Sequence, residues 1–157
     1  MTWQTVRGAR AGAAALLLLV GACASPLSIE GYLNDLSAIT VQMTRDAFDA
    51  LPPGAAPTHE QVGEVVEARR RALAAIEDLS PPGELELEHQ VLLLAFVDFI
   101  EAGSVFLDET SQMSPEDFRE ALSASTQVDL LADRVTSACD AMRLRAEGLG
   151  FVVSLAC

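Results

Sequence analysis

Two breaks, Leu51-Pro52-Pro53-Gly54 and Ser80-Pro81-Pro82-Gly83, constrain the fold of this chain more than anything else in it. Proline lacks the amide proton that continues a helix and disfavours helical backbone in the residue before it. Neither break can therefore lie inside a helix. On either side, apolar residues recur at three- and four-residue steps, the mark of amphipathic helices. Ile29, Leu33, Leu36, Met43, Ala47 and Leu51 precede the first break. Val62, Val66, Leu73, Ile76 and Leu79, with Arg69 at the edge, lie between the two. Thr58 with Gln61 three residues on predicts a capping box for this second helix. A third helix is expected from about Glu84 to Glu109. Ser114-Pro115-Glu116-Asp117 opens a fourth with a cap, a first-turn proline and two acids on the positive end of the dipole. Its apolar face is Phe118, Leu122, Val128, Leu131, Val135, Cys139, Met142 and Ala146, and Gly148 and Gly150 end it. No alternating stretch of strand length interrupts the series. The expectation is an all-α, up-down-up-down four-helix bundle. A short extended C-terminal tail, residues 151–157, is too apolar to be left in solvent and is expected across the bundle end.

The N-terminus follows other rules. Arg7 and Arg10 precede an apolar run from Ala11 to Val20 with four consecutive leucines, then Gly21, Ala22 and Cys23. The run is shorter than the roughly 20 apolar residues a spanning helix needs, and its layout is that of a secretory signal. Val20-Gly21-Ala22-Cys23 resembles the lipobox of bacterial lipoproteins, with Val20 where Leu is usual. The resemblance implies cleavage before Cys23 and a diacylglycerol on its sulfur. Ala22-Cys23-Ala24 is also a site for ordinary signal cleavage. The chain divides into a signal peptide (1–22), a lipidated N-terminus with a short linker (23–27) and a helical domain (28–157). That domain is similar to small all-helical extracytoplasmic lipoproteins of high-GC bacteria. It shares their Pro81-Pro82-Gly83 break, an acidic helix start running to His89, and a late cysteine followed by a terminal one. The likeness implies a location and a helical fold, and no site to transfer.

The cysteine count agrees. There are three, Cys23, Cys139 and Cys157, and an odd number in an exported chain needs an explanation. Lipidation of Cys23 leaves a pair, which outside the cytoplasm is expected to form a Cys139–Cys157 disulfide. Two buried free thiols are the rival reading. Without residues 1–22, ten basic residues fall to eight against 23 acids, a formal charge of −15. Such a surface repels nucleic acid and anionic headgroups alike. The acyl chains of Cys23 are then the whole of the expected membrane attachment.

Chemistry-bearing patterns are few. Glu86-x-x-His89 is the nearest approach to a metal motif, but di-iron bundles need two such copies. The other histidine, His59, has Ala56 where the matching glutamate belongs. A mononuclear site at Glu86, His89 and a neighbouring carboxylate competes with a histidine at the edge of the core. No haem motif, phosphate loop or Ser-His-Asp pattern is present. No cofactor and no enzymatic activity are therefore expected. Arg69-Arg70-Arg71 point about 100° apart on a helix and cannot form one patch. In the third helix, Leu92, Ala95, Phe96, Phe99, Gly103 and Phe106 make a core face and Asp98, Glu101, Ser104 and Asp108 the opposite one. Leu94, Val97 and Val105 fall among those acids. Such a surplus apolar stripe marks an interface for a protein partner or self-association, unless the tail covers it. The reading is a membrane-anchored extracytoplasmic interaction module. A small-ligand or metal carrier of the cell envelope is the alternative.

Overall fold

Helix caps set the element boundaries. The computed structural model describes residues 28–157, so the signal segment, the linker and Cys23 lie outside the described residues. Ser28 caps α1 (Ile29–Ala50) through the Gly31 amide. Thr58 and Gln61 form the expected reciprocal box at the start of α2 (His59–Glu77). A 3-10 turn (Gly83–Leu85) leads into α3 (Glu86–Thr110). Ser114 caps α4 (Pro115–Ala124), and α5 (Thr126–Gly148) completes an all-α fold of five packed helices, with no strand among the described residues.

The expected fourth helix is thus two helices. Ser125 leaves helical geometry at φ −79° and ψ 85°, and its hydroxyl caps the Val128 amide. Hydroxyl side chains compete with the helix ladder for backbone partners. The run Ser123-Ala124-Ser125-Thr126 places three of them within four residues, enough to break an otherwise good apolar period.

The main packing follows chain order: α1 on α2, α2 on α3, and α3 on α5. Tyr32, Leu36, Ile76, Leu85, Leu92, Phe96 and Met142 are fully buried at the centre. Gly103 lets α2 and α3 approach closely, since a Cβ there would meet Val66 Cγ2 at 2.9 Å. On α2 the innermost positions are Val66, Ala68, Ala72 and Ile76. Small alanines thus take places beside the larger residues the periodicity marks.

The tail corrects another expectation. It does not cross the bundle end but runs along α1. Gly150, at φ +89°, turns the chain, and the Phe151 amide closes the turn on the Ala146 carbonyl. Ser37 Oγ donates to the Ser154 carbonyl at 2.8 Å and Thr44 Oγ1 to that of Ala156 at 2.7 Å. Thr40 Oγ1 accepts from the Ala156 amide at 3.3 Å. Phe151, Val153 and Leu155 alternate inward onto the core, as extended backbone requires. The Cys139–Cys157 disulfide, with its Cα atoms 6.4 Å apart, ties the strip to α5. The tail thereby links the first helix to the last.

Candidate functional site

The exposed face of α3 carries the apolar stripe. Leu94, Val97 and Val105 are 60%, 40% and 50% exposed, and Leu87 and Val91 extend the row toward the helix start. Steps of three and four residues from Leu87 to Val97, then two turns through Glu101 to Val105, keep this row on one side of a helix. The tail lies on α1 and leaves the stripe uncovered. Asp98 interrupts the row, but Arg134 of α5 neutralises it at 2.8 Å. Beside it, Asp98, Glu101 and Val105 of α3 face Gln127 and Leu131 of α5 across a shallow cleft of about 300 Å³. With its preceding turn, α3 is long and apolar enough by composition to cross a membrane. The cause is visible: it buries Leu92, Phe96, Phe99 and Ile100 on one side and keeps apolar residues on the other.

His89 and Glu86 do not stand as a pair of open ligands. His89 is buried, and its Nδ1 lies 2.9 Å from the Tyr32 hydroxyl across the core. Among the described residues that nitrogen is the hydroxyl's one partner, so the phenol must donate; otherwise its proton would be buried without an acceptor. Burial pushes the Tyr32 phenol strongly up, which keeps that proton in place. Burial likewise holds His89 below the ordinary imidazole value, against the opposing charge of Glu86. The neutral ring therefore carries its proton on Nε2, beside an open cleft of about 490 Å³ shared with Glu77, Glu86 and Gln90. Among the described residues no three His, Cys, Asp or Glu side chains converge as a metal cage.

His59 is structural in its contacts. Its Nε2 donates to the Leu107 carbonyl at 2.8 Å, and Phe118 of α4 packs against its ring at 5.4 Å and against Phe106 at 5.8 Å. The three consecutive arginines separate as their spacing requires. Arg70 pairs with Glu67 and reaches Ser104, and Arg71 binds Asp46 at 2.9 Å. Arg69 turns inward and lies 4.4 Å over the Phe99 ring.

Sequence reasoning missed the Tyr32–His89 bond, which joins residues 57 positions apart. Nothing in the sequence marks Tyr32 beyond its being the one tyrosine of the chain. No protein-family model matches the chain, and no curated protein or solved structure is significantly similar to it.

Proposed function

We propose that this chain is a lipid-anchored extracytoplasmic protein, attached through an acylated Cys23, that works as a non-enzymatic interaction module through the outer face of α3. The observation that carries the reading is the uncovered row Leu87, Val91, Leu94, Val97 and Val105, five exposed apolar side chains gathered on α3, where the other exposed large apolar residues are spread over α1, α5, the loop after α3 and the tail. In this reading α1, α2, α3 and α5 are the four helices of an up-down-up-down bundle, with α4 a short added turn held by Phe118. Five residues separate Cys23 from Ile29 at the start of α1, a Cα-to-Cα reach of about 20 Å at full extension. The anchor therefore holds the Tyr32 end of the bundle near the bilayer. The acidic surface adds no attraction to anionic lipid, and a diacylglycerol suffices because two chains hold a protein stably. The occupant proposed for the α3 face is a second copy of this chain. Arg134 neutralises Asp98, so each copy brings Glu101 as the uncompensated charge within its row, and the repulsion between the two keeps the expected association weak.

Sedimentation equilibrium of the full chain tests this. Weak dimerisation is expected, lost in Val97→Arg while helicity and melting temperature hold, because an unpaired charge is costly only where it is buried. A monomer at all concentrations, or dimerisation unchanged in Val97→Arg, overturns it. The anchor is read separately by intact mass: Cys23→Ser should lose the acyl increment and leave the membrane fraction.

A further inference from the structure

His89 offers a donor that the fold itself does not use. The residue is only 3% exposed, and its Nδ1 is taken by the Tyr32 hydroxyl. Nε2 carries the proton of the neutral ring and has no hydrogen-bond partner among the described residues. Yet among those residues no fully buried side-chain nitrogen or oxygen is left without a partner. Nε2 is therefore the part of the ring that reaches the surface of the cleft of about 490 Å³ that His89 lines. The core hydrogen bond to Tyr32 fixes the ring, so the Nε2–H points into that opening as a preset donor.

Every other ionised group around this donor is negative. Glu77 and Glu86 line the cleft with Ser80 and Gln90, and no basic side chain does. Among the described residues neither carboxylate is in an ion pair. Arg145 of α5 engages Glu88 and the Glu84 carbonyl instead. Helix α2 also ends here: Glu77 is its last residue, and its last turn holds no basic residue. A helix C-terminus and a carboxylate each attract a cation, and the described residues supply none. The charge of Glu86 acts on the imidazole, so carboxylate and donor are near enough to serve one ligand. Leu79, Pro81 and Leu93, all half-buried, give the cleft an apolar wall.

A fitting ligand carries a cation, an oxygen close to it that accepts a hydrogen bond, and a short apolar group. A primary ammonium beside a carbonyl meets the first two demands, as at the amino terminus of a peptide. A free amino acid fits worse, because its carboxylate would face Glu77, Glu86 and the negative end of α2. We infer that the cleft between the end of α2 and the start of α3 binds the free amino terminus of a peptide. Glu77 and Glu86 take the ammonium, the His89 Nε2–H donates to the first carbonyl, and Leu79, Pro81 and Leu93 pack on the first side chain. No residue of this lining belongs to the exposed row of α3, so the site does not rest on self-association.

The probe is the tripeptide amide Leu-Gly-Gly, titrated calorimetrically into the full chain in phosphatidylcholine nanodiscs, with empty discs subtracted. Saturable binding is expected, and acetylating the probe's amino group should abolish it. Isopentylamine keeps the cation and the apolar body but has no carbonyl. It should bind about tenfold more weakly, the scale of one hydrogen bond lost from a buried donor. That arm reads the His89 contact without altering a core residue. Glu77 and Glu86 are exposed, so Glu77→Gln with Glu86→Gln should leave circular dichroism unchanged and weaken the probe about tenfold. The ligand arms decide the matter even if that variant loses its fold. The assignment is overturned if the probe does not saturate or if the folded double variant binds it unchanged. Acetylated probe, isopentylamine or free leucine binding as tightly as the probe would equally overturn it.

Discussion

Tyr32 and His89 show how much one buried pair fixes. The phenol donates to Nδ1 in a site closed on nearly all sides. Tyr32→Phe keeps the ring and removes the donor, leaving a buried imidazole nitrogen without a partner. The expected cost is about 1–3 kcal/mol, read by urea unfolding. His89 also makes stability depend on pH, with a definite sign. Its folded-state pKa is lowered by burial, so the unfolded chain takes up the proton first. Its contribution is complete above the unfolded value of about 6.5 and is lost as pH falls through the lowered folded value. His89→Gln cannot titrate. The melting-temperature advantage of the native protein over this variant should shrink between about pH 8 and about pH 5. An advantage constant across that range would mean that the imidazole is not held neutral. Protonating the acidic surface affects both proteins alike and cancels in the difference.

Among the elements, α3 is the most constrained, because both of its sides are apolar. Its inner side depends on Gly103 opposite Val66. Alanine there would gain about 1 kcal/mol of helix propensity, yet its Cβ meets a stiff, buried β-branched side chain at 2.9 Å. Gly103→Ala should therefore destabilise by on the order of 1–2 kcal/mol net. Adding Val66→Ala should recover part of that loss, a coupling a double-mutant cycle reads directly. The stripe on the outer side was legible in the sequence, because Leu94, Val97 and Val105 fall out of phase with the core. The extension to Leu87 and Val91 was not, since residues at a helix start are equally well placed to pack on a preceding loop. The break between α4 and α5 escaped for a related reason. The apolar period runs through it, and Phe118 packs on His59 and Phe106 regardless of what Ser125 does.

Over the whole molecule, the tail and its disulfide close the fold. The main helix contacts run α1–α2–α3–α5, and the strip of Phe151, Val153 and Leu155 lies against the core beside α1. The bridge spans 18 residues. In the chain-entropy model a loop of that size is worth about 3 kcal/mol. Reduction should lower the melting temperature accordingly. It should also free the tail, so that binding of a hydrophobic dye rises before helicity is lost. Helix melting and dye binding that coincide would show that the tail and the helices unfold as one unit.

The sequence by itself determined the helical class, the two Pro-Pro-Gly breaks and the caps at Thr58 and Ser114, and it left the two late cysteines as an expected pair. These rest on local physics: proline has no amide proton, hydroxyls cap nearby amides, and helical period repeats within a few residues. Only the tertiary structure decided that the tail lies along α1 rather than across the bundle end. It also decided that Tyr32 meets His89, and that of three adjacent arginines Arg69 is the one drawn over Phe99. Each joins groups far apart in the chain, and which partners meet depends on how whole helices pack, a choice no local pattern encodes.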